Sequence, residues 1–296
     1  MKFAYSSNAY RKFTIDETCQ RIAQIGFQGL ELLADVPHAW PVSLLPEQKN
    51  HIRECLTRNH LEISNINAFM MNATADTRQT FWYPSWLEPY APYRALRREH
   101  TLRCLDLAAE LGARSIQTEP GGPLPEGMTW KQGAALFYEE LMPCVERAEK
   151  VGVSLLIEPE PLLLIETFAQ YLEFMERIDS PAVGLNFDVG HAFCVGDDPV
   201  EWIPRLASQT RHYHIEDISS ERVHHHLIPG DGAIDFPPIL RAIEQSGYSG
   251  WVTVELYPHL SDPDTAGRRA LELLSASLQE LSFRPGFEAG THGRDA

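Results

Sequence analysis

Four successive predicted strands end in residues that can bind a divalent metal ion. These residues are Glu158, Asp188, His214 and Glu255, and the acidic ones close apolar runs such as LLIE, LNFD and VTVE. A carboxylate at the end of such a run is costly to bury unless it is paired or bound to a cation. Three carboxylates and one imidazole at one site would also repel one another, and a divalent ion removes that repulsion. Although a single acid of this set could cap a helix or pair with an arginine, the four together predict one ion: Mn²⁺, Mg²⁺, Co²⁺ or Zn²⁺.

Other polar residues near the same strand ends are predicted to contact a substrate. His191 follows Asp188 by three residues, which places it in the loop just past the sixth predicted strand. We predict that it donates a hydrogen bond to a substrate oxygen, and packing against the rim of the fold is the alternative. Three more residues are predicted to bind substrate: Asn67, Glu119 and His226.

The run His224-His225-His226 precedes the turn from Pro229 to Gly232. Three histidines in one loop could supply ligands for a second metal ion, could hold a substrate, or could be solvated. The residues alone leave these alternatives open.

The elements that must position these residues alternate regularly along the chain. An amphipathic helix, a glycine and a short apolar run recur in QIGFQGLELLAD, ELGARSIQTEP, KVGVSLLIEP and QSGYSGWVTVELY. Glycine after a helix supplies the left-handed residue that closes it, and the run that follows has the length of a buried strand. The predicted strands lie near residues 2–6, 29–33, 61–67, 114–119, 153–158, 183–188, 211–215 and 251–256.

Eight strand-helix units without a long linker favour a closed parallel (β/α)8 TIM barrel of the α/β class over an open sheet. No GxGxxG or Walker-type loop occurs. We therefore predict one barrel domain over residues 1–281 and a mobile tail over 282–296, with a capping box at Thr14 to Glu17 opening the first helix and the last helix running from about 264 to 281. The strand-to-helix loops 68–95 and 216–237 are predicted to be extended and to shape the substrate pocket, because the active site of such a barrel lies at this end.

The composition of the chain restricts the classes of partner that we expect. A formal net charge of −16 disfavours binding of nucleic acid, which requires clustered Lys and Arg. No targeting segment or membrane-spanning run is evident, so we expect a soluble, cytoplasmic protein. Five widely spaced cysteines without a CxxC pair disfavour a disulfide framework. The expected partner is a small-molecule substrate, and assembly into a homo-oligomer stays open.

The ordered motifs resemble those of the xylose isomerase-like TIM-barrel superfamily, the sugar phosphate isomerase/epimerase group. They are LLIEP, LNFDVGH, HYHIED, LIPGDGAIDF and VTVELY, and the resemblance covers about residues 2–280. It implies that the four strand-end residues are the metal ligands, that Glu158 and Glu255 also serve as acid and base, and that His191 contacts a substrate oxygen. The implied activity is isomerisation or epimerisation of a sugar-like polyhydroxy carbonyl compound, by proton transfer through a metal-stabilised enediolate.

The chain departs from this family at two places. Epimerases of the group carry an arginine shortly after the seventh-strand histidine, whereas the sequence after His214 here is IEDISS. The endonuclease branch carries extra histidines where this chain has Asn65, Asn67, Gln117 and Glu119. A trinuclear nuclease site is therefore not supported, although His191, His224 and His226 resemble the third zinc site of that branch.

Three alternatives accompany the predicted isomerase. One is a metal-dependent lyase that dehydrates a cyclitol or related ketone, and another is a two-metal phosphodiester hydrolase that would need His224 and His226 as ligands. The third is a barrel that binds a sugar-like ligand without catalysis. The sequence does not decide the substrate, and it does not decide whether the substrate is phosphorylated.

Overall fold

The computed structural model describes residues 1–70, 72–74, 76, 78 and 82–283. Within this part of the chain, the strands β1 to β8 are Lys2–Ser6, Gly29–Leu33, Glu62–Asn67, Ser115–Thr118, Ser154–Ile157, Val183–Asp188, Thr210–Ile215 and Trp251–Val254. Each strand pairs in parallel with the next, and β1 pairs with β8, so the sheet closes into a barrel. The predicted TIM barrel is confirmed, and each strand begins and ends within two residues of its predicted bounds.

Helices lie between the strands. In the described residues, α1 to α9 are Ile15–Ile25, Pro46–Arg58, Ala91–Leu111, Trp130–Val151, Phe168–Met175, Val189–Val195, Pro199–Leu206, Phe236–Gln245 and Pro263–Phe283, and a 3-10 helix, Ser7–Tyr10, follows β1. The predicted capping box is present, because the Thr14 side chain accepts from the Glu17 amide while the Glu17 carboxylate accepts from the Thr14 amide. Gly26 ends α1 with a φ of 113°, as the glycine signal predicts.

Three details differ from the sequence prediction. His191 lies in the first turn of α6 rather than in a loop, because Asp188 caps a helix that starts directly after β6. A second helix, α7, precedes β7, and α3 begins at Ala91, so the third strand-to-helix loop ends five residues earlier than predicted. The predicted tail falls mostly on 284–296, outside the described residues.

Strand register brings three of the predicted ligands to the same end of the barrel. Asp188 pairs directly with His214 across β6 and β7, and His214 pairs with Thr253, two residues before Glu255. Side chains alternate between faces along a strand, so residues two apart point to the same side. In the described residues, no helix is both long and apolar enough to cross a membrane.

Candidate functional site

The four predicted ligands come together at the carboxyl end of the barrel. Glu158 and Glu255 directly follow β5 and β8, while Asp188 and His214 lie at or near the ends of β6 and β7. All four are buried, and one ligand atom from each lies within 4.8 Å of the others. The C-terminal ends of neighbouring parallel strands meet at one rim, so residues far apart in sequence converge there.

His214 lies at the centre of this cluster. Its Nδ1 atom is 2.6 Å from Glu158 Oε1, 3.7 Å from Glu255 Oε2 and 3.8 Å from Asp188 Oδ2. The contact with Glu158 is close but lacks hydrogen-bond geometry, since His214 Nδ1 has no hydrogen-bond partner among the described residues. Asp188 Oδ2 likewise has none, because the other oxygen of this carboxylate accepts from the His191 amide. His214 Nδ1 and Asp188 Oδ2 are therefore two buried polar atoms without partners, 3.8 Å apart. A divalent cation could satisfy both of them.

A fifth residue orients the imidazole. Glu31, in β2 on the other side of the barrel, has its Oε2 atom 2.7 Å from His214 Nε2. Donation of the Nε2 proton to this carboxylate leaves the Nδ1 lone pair for a metal ion. Although burial alone would raise the pKa of Glu31, the imidazoles of His214 and His212 hold that pKa well below its usual range.

Side-chain amides hold the carboxylates in place. Asn186 Nδ2 donates to Glu158 Oε1 over 2.7 Å. Asn8 and Asn67 both donate to Glu255 Oε1, over 2.8 and 3.1 Å. These amides are neutral, so they orient the carboxylates without balancing their charge. Charge balance is left to a cation.

Burial acts strongly on these acids. It raises the pKa of Glu158 to about 7, although the neighbouring imidazole of His214 acts in the opposite direction. Burial also raises the pKa of Glu255 well above its ordinary value. For His214, burial disfavours the charged form, but the surrounding carboxylates Glu31, Glu158 and Glu255 raise its pKa well above the usual value. The electrostatic field of the site therefore attracts positive charge.

The three histidines left open by the sequence lie beside this cluster. Ring nitrogens of His191, His224 and His226 lie within 4.8 Å of one another, and His191 Nε2 is 2.9 Å from His224 Nε2. The Nδ1 atoms of His191 and His226 donate to the carbonyl oxygens of Pro159 and Glu255. Burial lowers the pKa of His191 and of His224 to about 3, so these rings are neutral, the form that binds metals.

A small cavity of about 20 Å³ lies over the site, enough for roughly one water molecule. It is lined by Phe69, Glu158, Glu160, His191, His224, His226, Glu255 and Tyr257. The two predicted acid/base residues thus line the same space as the histidines. Of the predicted substrate contacts, His191 and His226 lie on this cavity.

Asn67 and Glu119 lie away from this lining. The Asn67 amide contacts Glu255, and its carbonyl accepts from the Phe69 amide. Glu119 is fully buried, and its Oε1 atom is 2.8 Å from Nε of Arg97, which is also fully buried. The predicted contacts of Asn67 and Glu119 with a substrate stay predictions.

Sequence reasoning did not assign several residues of the site. Glu31 is a buried carboxylate in the middle of β2, and Asn186 lies two residues before Asp188 on the same face of β6. A polar residue inside an otherwise apolar strand was the signal for both. Glu160 carries a weaker signal, since it follows Glu158 in the sequence EPEP. Asn8, in the 3-10 helix, had none.

The chain is similar to known proteins over most of its length. Inosose dehydratase of Clostridium beijerinckii is 24% identical over 93% of this chain and 91% of its own. Fructoselysine 3-epimerase of Escherichia coli O157:H7 is 24% identical over 95% of this chain and 99% of its own. A crystal structure of the IolI protein with a zinc atom superposes with a TM-score of 0.74 at 17% identity, covering 95% of this chain and 99% of that one.

The family profile described as xylose isomerase-like TIM barrel matches residues 19–277, a span that contains all four predicted ligands. The match covers most of the chain and agrees with the closed barrel seen in the structure. The chain therefore belongs to the xylose isomerase-like TIM-barrel family.

Proposed function

We propose that this protein is a divalent-metal-dependent isomerase or epimerase of a small polyhydroxylated carbonyl compound. The observation that carries this proposal is the double placement of Glu158 and Glu255. Both belong to the four-residue ligand cluster, and both line the cavity above it. A bound metal ion and two proton carriers would thus lie next to the same atoms of a substrate.

A divalent ion held by Glu158, Asp188, His214 and Glu255 would polarise a substrate carbonyl and its neighbouring hydroxyl, which lowers the cost of removing the proton between them. Glu158 or Glu255 takes that proton, and the other returns one. Return to the adjacent carbon isomerises the substrate, whereas return to the opposite face of the same carbon epimerises it. Phe69 and Tyr257 line the same cavity and add apolar surface beside the two carboxylates.

The geometry around Glu158 supports this role. Its contacts with Asn186 and His214 fix the carboxylate, so little reorientation is needed between the two proton transfers.

A metal-dependent dehydratase is the second candidate, and the similarity to inosose dehydratase favours it. Dehydration begins with the same proton abstraction next to a carbonyl. It differs afterwards, because a hydroxyl on the adjacent carbon leaves as water instead of a proton returning. The ligand cluster and Glu158 and Glu255 would serve both reactions.

A second ion is a separate proposal. His191, His224 and His226 offer neutral ring nitrogens, and His226 Nε2 has no hydrogen-bond partner among the described residues. Metal analysis of the wild type and of His224→Ala tests it. Loss of one equivalent in the variant would support a second site, while equal content in both would refute it.

Solvent deuterium exchange tests the main proposal. The metal-loaded protein is incubated with a panel of ketoses and cyclitol ketones in deuterated water and followed by NMR. Deuterium next to the carbonyl is expected for an isomerase or epimerase, and loss of water to give an unsaturated product identifies the dehydratase. If no member of a broad panel gains deuterium or loses water, the proposed function is wrong.

Glu255→Gln sharpens the test, because it keeps a ligand oxygen but removes the base. We expect exchange to fall by about 10²- to 10⁴-fold while the variant still binds metal. Glu173→Gln, an exposed change on α5, is the matched control and should exchange at the wild-type rate. Wild-type exchange by Glu255→Gln would exclude Glu255 as a proton carrier.

A further inference from the structure

Glu160 is a buried carboxylate that the ligand cluster does not use. It lies two residues after Glu158, and only 5% of it is exposed. Its amide donates to the Ile165 carbonyl over 3.0 Å, and its carbonyl accepts from the Leu163 amide over 3.2 Å. The backbone at this point is therefore fixed, and the side chain projects from a rigid turn.

The two oxygens of Glu160 differ. Oε1 accepts a hydrogen bond of 2.8 Å from the indole Nε1 of Trp82. Oε2 is buried and has no hydrogen-bond partner among the described residues, and Glu160 lines the cavity above the ligand cluster. A buried acceptor without a partner beside a cavity is a position that a ligand hydroxyl can satisfy.

The cavity carries no positive side chain to receive an anionic group. Of the described residues that line it, Glu158, Glu160 and Glu255 are carboxylates and none is Lys or Arg. Arg97 does not line the cavity. Its Nε donates to the Pro84 carbonyl and lies 2.8 Å from Glu119 Oε1, while its Nη1 and Nη2 are buried without a hydrogen-bond partner among the described residues. A phosphate brought into this space would meet three acidic side chains and no cationic one.

Arg11, which also lies near the site, does not line the cavity either. Its guanidinium donates to the carbonyl oxygens of Asn8 and Tyr257 and to the side chain of Asn72. Its contact with Asn8, whose amide in turn holds Glu255, makes Arg11 part of the support for the site.

We propose that Glu160 Oε2 accepts a hydrogen bond from a substrate hydroxyl remote from the reacting carbons, and that this subsite selects an uncharged polyhydroxy compound over its phosphate ester. The inference rests on the proposed function and names its substrate class. Glu160 is the residue that determines specificity. Trp82 is a positioning residue, because its indole holds Oε1 and leaves Oε2 as the oxygen without a partner.

Equilibrium binding tests the subsite without requiring turnover. Metal-loaded protein is titrated calorimetrically with D-fructose, D-tagatose and their 6-phosphates. We expect at least one uncharged ketose to bind roughly 100-fold more tightly than its phosphate ester. Binding of either phosphate ester as tightly as the parent sugar would overturn the proposal, as would failure of both uncharged sugars and of a cyclitol ketone panel to bind.

Glu160→Gln is the informative variant, because it preserves size and the contact with Trp82 but presents an amide instead of an acceptor oxygen. Affinity for the uncharged sugar should fall roughly 10- to 100-fold, and the preference over the phosphate ester should shrink. Glu173→Gln is the matched control, and thermal unfolding checks that each variant is folded. Unchanged affinity and preference in folded Glu160→Gln would refute the assignment.

The variant Trp82→Phe tests whether Trp82 positions Glu160 or only supports the fold. It removes the indole donor while keeping an aromatic ring, so a smaller loss of sugar affinity is expected than in Glu160→Gln. In the double variant, the effect of Trp82→Phe should vanish, because the two residues act through one hydrogen bond. Additive effects would contradict the positioning role.

Binding and deuterium exchange distinguish the subsite from the proposed function. Selective binding that depends on Glu160, without any deuterium exchange, would keep the subsite and refute the isomerase. Exchange that proceeds equally with phosphate esters would keep the isomerase and refute the subsite.

Discussion

One pair of charged side chains is exposed at the amino end of the barrel, whereas another pair is buried at the carboxyl end. At the amino end, Lys2 at the start of β1 donates to Glu62 at the start of β3 over 3.0 Å, and the side chains are 38% and 68% exposed. At the carboxyl end, Glu158 and Glu255 are buried and held by neutral amides and an imidazole. Water screens the first pair, so it contributes little to stability, whereas the second arrangement is costly unless a cation is bound. The difference is that charge left unbalanced costs far more free energy at the carboxyl end than at the amino end.

Removal of the metal ion should have the largest effect on stability, and this effect should come from the carboxyl end of the barrel. We expect chelation to lower the free energy of unfolding by about 4 kcal/mol relative to protein with metal at a thousand times its Kd. The cause is the loss of the ion that balances Glu158, Asp188 and Glu255. Calorimetric unfolding with and without chelator measures the change, and Asp188→Ala, which lacks one ligand, should respond much less. Identical unfolding of wild type in both conditions would rule out a metal site of useful affinity.

A second contrast lies in the pH dependence of stability. Burial raises the pKa of Glu119 to about 7, although Arg97 acts in the opposite direction. Between about 4.5 and 7 the folded protein keeps a proton on Glu119 that the unfolded chain has lost. Stability should therefore fall as pH rises through this window, by roughly 3 kcal/mol from this group.

Urea unfolding of metal-loaded protein at several pH values measures this slope. Glu119→Gln removes the titrating group and should flatten the slope, whereas Glu62→Gln at the exposed end should leave it unchanged. The absolute stability of Glu119→Gln is a poor guide, since the change leaves Arg97 without its carboxylate. A slope as steep as that of wild type would contradict the assignment to Glu119.

The contact between Glu31 and His214 should have a smaller effect, because Glu31 orients a ligand without being one of the four. Glu31→Gln keeps a hydrogen-bond acceptor but loses the charge that holds the imidazole. Metal affinity should fall by 10- to 100-fold, the usual range for a residue that supports a ligand. Competition with a metal-sensitive dye gives the affinity, and an effect no larger than that of Glu173→Gln would show that Glu31 is dispensable.

The smallest effect is expected at the amino end. Lys2→Met should change the free energy of unfolding by no more than about 1 kcal/mol, because the contact with Glu62 is exposed and screened. Deuterium exchange and metal affinity should stay at wild-type values. A loss of several kcal/mol, or of activity, would mean that the two ends are less different than their burial indicates.

Much of this molecule could be predicted from local patterns. The glycine that ends a helix and the apolar run that follows depend on neighbouring residues alone, so the strands were placed within two residues of their observed bounds. Burial of a carboxylate at a strand end is also a local signal, which led to Glu158, Asp188 and Glu255. The prediction that His191 lies in a loop was wrong, because Asp188 caps a helix that begins directly after β6.

The sequence by itself thus determined the barrel and pointed to the four strand-end residues that cluster in it, because hydrophobic period and strand ends are properties of short segments. Only the tertiary structure decided which distant residues meet. Glu31 reaches His214 from the opposite side of the barrel, Trp82 reaches Glu160 from the loop after β3, and Arg97 turns inward to Glu119. Those contacts depend on how the sheet closes and on which rotamers the packed interior allows, and neither is encoded in spacing along the chain.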